Sequence, residues 1–135
     1  MKRNRFIIVL LTVLVLVVCL WGCDLPDEDT TGRQLNIGYD YWNDMGSGDE
    51  GLKKHTDLRR REIVYEDSFG TFRVYSANSK RITLEIKEGA FVEKDGDGIN
   101  LNAEPLKRIT IEKGESVTVA SQTMDAGVKL TFRYL

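Results

Sequence analysis

Apolar and polar residues alternate with a period of two along most of the C-terminal half of this chain. Ile82, Leu84 and Ile86 alternate with Arg81, Thr83, Glu85 and Lys87. Val128, Leu130, Phe132 and Tyr134 alternate with Lys129, Thr131 and Arg133. Successive side chains of an extended strand point to opposite faces, so each run predicts a strand with one buried face. The pairs Phe72/Val74, Ile99/Leu101, Ile109/Ile111 and Val117/Val119 repeat the pattern over shorter spans, and weaker strands are expected over 62–66 and 90–93. Turn residues separate these runs: Ser68 and Gly70, Asn78 and Ser79, Gly89, Asp95 to Gly98, Gly114, and Asp125 to Gly127. Beyond the N-terminus no window carries an apolar stripe at helical spacing.

About eight strands from Leu58 onward, at roughly ten-residue spacing, predict an all-β domain. The expected form is a small antiparallel β-sandwich over 58–135, immunoglobulin-like or jelly-roll-like in general architecture, or a small barrel. A domain of this size buries only about 60–65% of its unfolded surface, so modest stability is expected. The cysteine pair and core tryptophan of antibody domains are missing from it. Upstream, Leu35, Ile37, Tyr39 and Tyr41 alternate with Asn36, Gly38 and Asp40, which predicts one short strand within 33–42, placed to cover a sheet edge. Residues 43–56 hold Gly46, Gly48 and Gly51 and almost no apolar side chain beyond Met45 and Leu52, so they read as a long loop. Such a loop inside a compact domain is either functional or mobile. Segment 23–57 is therefore expected to be largely a flexible linker.

The N-terminus differs in kind. Lys2, Arg3 and Arg5 precede an apolar run over 6–20 in which Thr12 is the polar exception. A helix of that length reaches about 22 Å, short of a ~30 Å hydrocarbon core, and matches a secretory signal rather than a membrane span. The sequence Leu20, Trp21, Gly22, Cys23 then resembles the lipobox of bacterial lipoproteins. The resemblance covers residues 1–23 and implies nothing about the domain that follows. It implies a signal peptide over 1–22, cleavage after Gly22, and acyl chains, palmitate among them, on Cys23. It also implies residence on the extracytoplasmic side of a cell membrane, with membrane lipid as a partner. Asp24 matches the pattern that keeps such proteins at the periplasmic face of the inner membrane in Gram-negative bacteria. Asp24, Asp27, Glu28 and Asp29 make the following spacer acidic, and with one proline and one aliphatic it cannot offset its chain entropy by burial.

Charge and cysteine usage narrow the functions. Taking Lys2, Arg3 and Arg5 from the 19 basic residues leaves 16 against 21 acidic ones, a net charge of −5. This gives no electrostatic reason to expect nucleic-acid binding. Both cysteines, Cys19 and Cys23, lie within the first 23 residues, which excludes a disulfide framework or a cysteine metal site in the domain.

Candidate sites are few. Tyr39, Tyr41 and Trp42 form an aromatic group that either contacts a ligand or partner or plugs one end of the sandwich. Asp95, Asp97 and Asn100 form a weak calcium candidate, since Ile99 and Leu106 stand where further oxygen ligands belong. The two Asp-Gly pairs equally suit a hairpin turn. Lys53, Lys54, His55, Arg59, Arg60 and Arg61 make one basic patch, read as solvated charge guarding an edge strand. His55 is the sole histidine and has no second histidine or cysteine to work with. No pair of carboxylates is placed by sequence as acid and base, so neither catalysis nor a cofactor is expected. The reading is a binding or structural module of a bacterial envelope whose partner is an envelope protein. The alternative is an accessory domain for a glycan or small ligand.

Overall fold

The computed structural model describes residues 32–46, 48–94, 96, 98–100 and 102–135. The expectations for Gly22, Cys23, Asp95 and Asp97 fall outside the described residues.

The chain forms nine strands in order: β1 (Gln34–Asn43), β2 (Glu50–Thr56), β3 (Ile63–Glu66), β4 (Thr71–Ala77), β5 (Arg81–Glu88), β6 (Val92–Glu93), β7 (Arg108–Glu112), β8 (Ser116–Gln122) and β9 (Ala126–Tyr134). They make two antiparallel sheets, ordered β2-β1-β9-β8-β6 and β3-β4-β5-β7, packed as a β-sandwich. Alternation decides which face is buried. Leu35, Ile37, Val119, Val128, Leu130, Phe132 and Tyr134 from the larger sheet meet Phe72, Val74, Ile82, Leu84 and Ile111 from the smaller one, all at 0–1% exposure. Phe72 sits at the centre, its ring 4.7 Å from that of Phe91 and 4.9 Å from that of Phe132. Burying each such side chain contributes roughly 1.5–3 kcal/mol.

Three expectations change. The sandwich begins at Gln34 rather than Leu58, and β1 is an inner strand between β2 and β9. Its nine-residue register with β9, from Leu35↔Tyr134 to Asn43↔Ala126, joins the two ends of the domain. Second, the segment read as one long loop contains β2, which pairs with β1 from Gln34↔Thr56 to Asp40↔Glu50, leaving 44–49 as the turn. The inward positions of β2 are Gly51, Lys53 and His55, so its backbone is extended without an apolar alternation to announce it. Inward charge on an edge strand discourages pairing with another chain. Third, Ile99 lies outside any strand. In that connection the Asn100 side chain accepts the Asn102 N–H at 3.1 Å and its carbonyl accepts the Ala103 N–H at 3.0 Å, a local turn in place of a ladder.

The two ends of the sandwich differ. At the entry end β1 begins beside the C-terminus: Leu135 N–H donates to Gln34 O at 2.9 Å. Turns 78–80 and 113–115 lie there too, since Lys113 N–H donates to Lys80 O at 2.7 Å and Tyr134 Oη–H to Asn78 O at 2.8 Å. The far end, about 30 Å along β1, gathers turns 44–49, 67–70 and 123–125. There Asp44 N–H donates to Asp125 O at 2.9 Å and the Phe69 ring lies 6.4 Å from that of Tyr41.

Candidate functional site

The aromatic group expected from sequence is split by the strand it sits on. Tyr39 and Tyr41 share the inner face of β1, their ring centroids 5.4 Å apart, and pack against the core. Trp42 is on the opposite face, directly across from Gly127 on β9. A Cβ on Gly127 would lie 2.2 Å from Trp42 Cζ2, so the indole occupies the space a side chain there would fill. Tyr39 does the same over Gly51, where an added Cβ would lie 2.3 Å from its hydroxyl oxygen. An aromatic ring laid over a cross-strand glycine covers exposed backbone and fixes register.

Tyr41 anchors a polar network that the sequence does not reveal. Its hydroxyl donates to Asp67 Oδ2 at 2.8 Å and lies directly against the hydroxyl of Tyr65 on β3. Tyr65 Oη–H donates to the same oxygen at 2.6 Å. Asp67 Oδ1 accepts the N–H groups of Phe69 and Gly70 at 2.8 and 2.9 Å. One carboxylate thus ties β1, β3 and the 67–70 turn together. Burial, the largest cause, with the Asp67 charge and hydrogen bond behind it, pushes the Tyr41 phenol up to about 12. Burial and Asp67 also push the Tyr65 phenol well above its ordinary value. Both therefore stay protonated donors at neutral pH. Lys53 Nζ lies 4.8 Å from the Tyr65 ring centroid and 5.8 Å from that of Tyr39, a cation–π cover over the open side of the sandwich.

Beside this network an open cavity of about 340 Å3 is walled by Tyr41, Trp42, Phe69 and Gly127, with Asn43 and Asp49 as polar groups. The adjoining turns carry two exposed methionines, Met45 at 86% and Met124 at 96% exposure. The hydrogen bond from Asp44 to Asp125 holds their turns side by side. Of the residues gathered here, Tyr41 and Trp42 are legible in the sequence as site candidates, and Tyr65, Asp67, Phe69, Met124 and Gly127 are not. Asp67, Phe69 and Met124 fall in stretches legible only as turns, and their convergence depends on which strands face each other.

The basic patch is also divided. Lys53 and His55 point inward from β2, and His55 Nδ1 is 3.8 Å from Glu62 Oε1. Arg59, Arg60 and Arg61 lie in the β2–β3 connection, pinned by Leu58 in the core and by Arg61 N–H donating to Val74 O at 2.8 Å. Nearby, Arg73 holds Glu85 at 2.7 Å and keeps its carboxyl below the usual carboxylate range, and Arg108 lies 3.7 Å over the Tyr75 ring. Of the calcium candidates only Asn100 is described, and its side chain closes a turn. Among the described residues no three His, Cys, Asp or Glu side chains are grouped to hold a metal ion. Comparison with protein-family models, with curated proteins and with solved structures finds no match to this chain.

Proposed function

We propose that this chain is a lipid-anchored, extracytoplasmic module of a bacterial cell envelope. It is held by acyl chains on Cys23 and binds an envelope protein through its far end. The observation that carries the reading is the far end itself: a cavity walled by Trp42 and Phe69, flanked by exposed Met45 and Met124, at the opposite end of β1 from the point where the chain enters. Exposed apolar side chains clustered around a pocket suit a protein contact, and methionine adapts to irregular partner surfaces. The ten residues between Cys23 and Gln34 span at most about 35 Å, and β1 adds about 30 Å. The site would therefore stand clear of the lipid headgroups. In a Gram-negative host, Asp24 favours the periplasmic face of the inner membrane.

In-cell photo-crosslinking from Asp49, at the cavity, and from Thr110, on the outer face of the smaller sheet, tests this. Capture of an envelope protein from position 49, lost from position 110 and weakened by Met124→Ser, is expected. Equal capture from both positions would sink it. A second reading, a glycan or small ligand in the same cavity, is favoured by the apolar face of Trp42 beside Asn43 and Asp49. It predicts calorimetric binding of soluble cell-wall fragments that Trp42→Ala abolishes.

A further inference from the structure

Charge is unevenly placed along the sandwich. The entry end and the flank next to it, 32–33, 57–62, 78–80 and 113–115, carry Arg33, Arg59, Arg60, Arg61, Lys80 and Lys113 against Asp57, Glu62 and Glu115, with Arg61 reaching as far as Val74 in the middle of β4. Glu62 is already engaged, accepting the Arg59 N–H at 2.9 Å. All six cations except Arg33 belong to exposed residues. The far-end turns 44–49, 67–70 and 123–125 carry Asp44, Asp49, Asp67 and Asp125 and, among their described residues, no lysine or arginine; Lys107 is a nearby cation, its carbonyl accepting the Ile86 N–H at 2.9 Å. A domain close to neutral overall therefore has a positive end, and it is the end from which the chain leads back to Cys23.

We infer that the entry end docks on anionic lipid headgroups, holding the sandwich upright with its far end directed away from the membrane. The inference rests on the anchoring proposed above. A short tether keeps the basic end within reach of the surface, where the negative potential of anionic lipids acts over about one Debye length. Exposed lysine and arginine at several turns suit a plane of headgroups better than a single small anion, which wants converging buried donors. The competing occupant of this end is the acidic run Asp24, Asp27, Glu28 and Asp29 of the chain itself.

The test uses the full chain as extracted from the membranes of an expressing bacterium, reconstituted in vesicles of phosphatidylcholine, with or without roughly one-third phosphatidylglycerol, and reads amide hydrogen exchange. Exchange in 57–62, 78–80 and 113–115 is expected to slow several-fold on anionic vesicles alone, while 44–49 and 123–125 stay unchanged. Molar salt, which shortens the Debye length to about 3 Å, should remove the effect, as should the triple variant Arg60→Gln, Lys80→Gln, Lys113→Gln. The salt arm needs no variant and decides the matter if the triple variant fails to fold. Equal exchange on both vesicle types, as the acidic run covering this end would give, overturns the docking while leaving the anchor standing. A chain lost from neutral vesicles but kept on anionic ones overturns the anchor and supports the docking. A chain lost from both overturns both.

Discussion

Asp67→Asn tests the network that fixes the far end. The aspartate accepts four hydrogen bonds: Tyr41 and Tyr65 hydroxyls on Oδ2, and the Phe69 and Gly70 amides on Oδ1. Asparagine keeps one oxygen for the two amides but presents an NH2 group, a donor, where two hydroxyls need an acceptor. Hydrogen bonds to a charged group contribute about 1.5–3 kcal/mol and neutral ones about 0.5–1.5 kcal/mol. Converting two of the first kind into weaker ones costs about 2 kcal/mol. The cost rises toward about 4 kcal/mol if the Tyr65 hydroxyl, on a residue 1% exposed, is left without an acceptor. For a domain of roughly 100 residues, 2 kcal/mol lowers Tm by about 8–16 °C. Thermal melting against Glu66→Gln, an exposed neighbour expected to shift stability by under about 0.5 kcal/mol, isolates the effect. A second readout is tyrosine ionisation: Tyr41 should titrate lower than in the native protein, yet still above its ordinary 10, because burial, the largest cause, remains. An Asp67→Asn Tm within about 2 °C of native, with Tyr41 ionisation unmoved, would refute the reasoning.

Alkaline pH should attack the same place. The folded state holds the Tyr41 proton up to about 12 against 10 in the unfolded chain, so stability is full below pH 10 and falls as pH rises toward 12. Urea melts across that window, with tyrosinate absorbance, check the sign. Gly127→Ala should drive the indole of Trp42 off β9, because the new Cβ would lie 2.2 Å from Cζ2. Tryptophan emission should shift to longer wavelength, and an unchanged spectrum would contradict the packing of Trp42 on Gly127. Arg61 sits at φ 68°, a conformation costly for residues with a Cβ. Arg61→Gly should therefore leave stability unchanged or raise it by up to about 1 kcal/mol in chemical denaturation, where an ordinary exposed strand position would lose stability.

The parts of the fold legible in the sequence are those where a strand has one buried and one solvated face. β5 and β9 announce themselves through Ile82, Leu84 and Ile86 and through Val128 to Tyr134, each set turned toward the core. β2 does not, because Gly51, Lys53 and His55 take its inward positions and its pairing with β1 rests on backbone hydrogen bonds. β1 reads as a strand, yet its place between β2 and β9 depends on a partner about ninety residues away in sequence. The same distance problem hides the site. Tyr41, Tyr65 and Asp67 meet because two sheets face each other, and no local spacing encodes that. Trp42 reads as an aromatic near Tyr39 and Tyr41, but the period of two that predicts the strand also separates it from them.

The proposed reach of the far end and the proposed docking of the entry end both follow from the proposed lipid anchor. The decisive measurement is the intact mass of the chain extracted from the membranes of an expressing bacterium. The expected species is a polypeptide beginning at Cys23 and carrying the added mass of two or three acyl chains. A membrane-held chain that retains residues 1–22 and a free Cys23 thiol would contradict it.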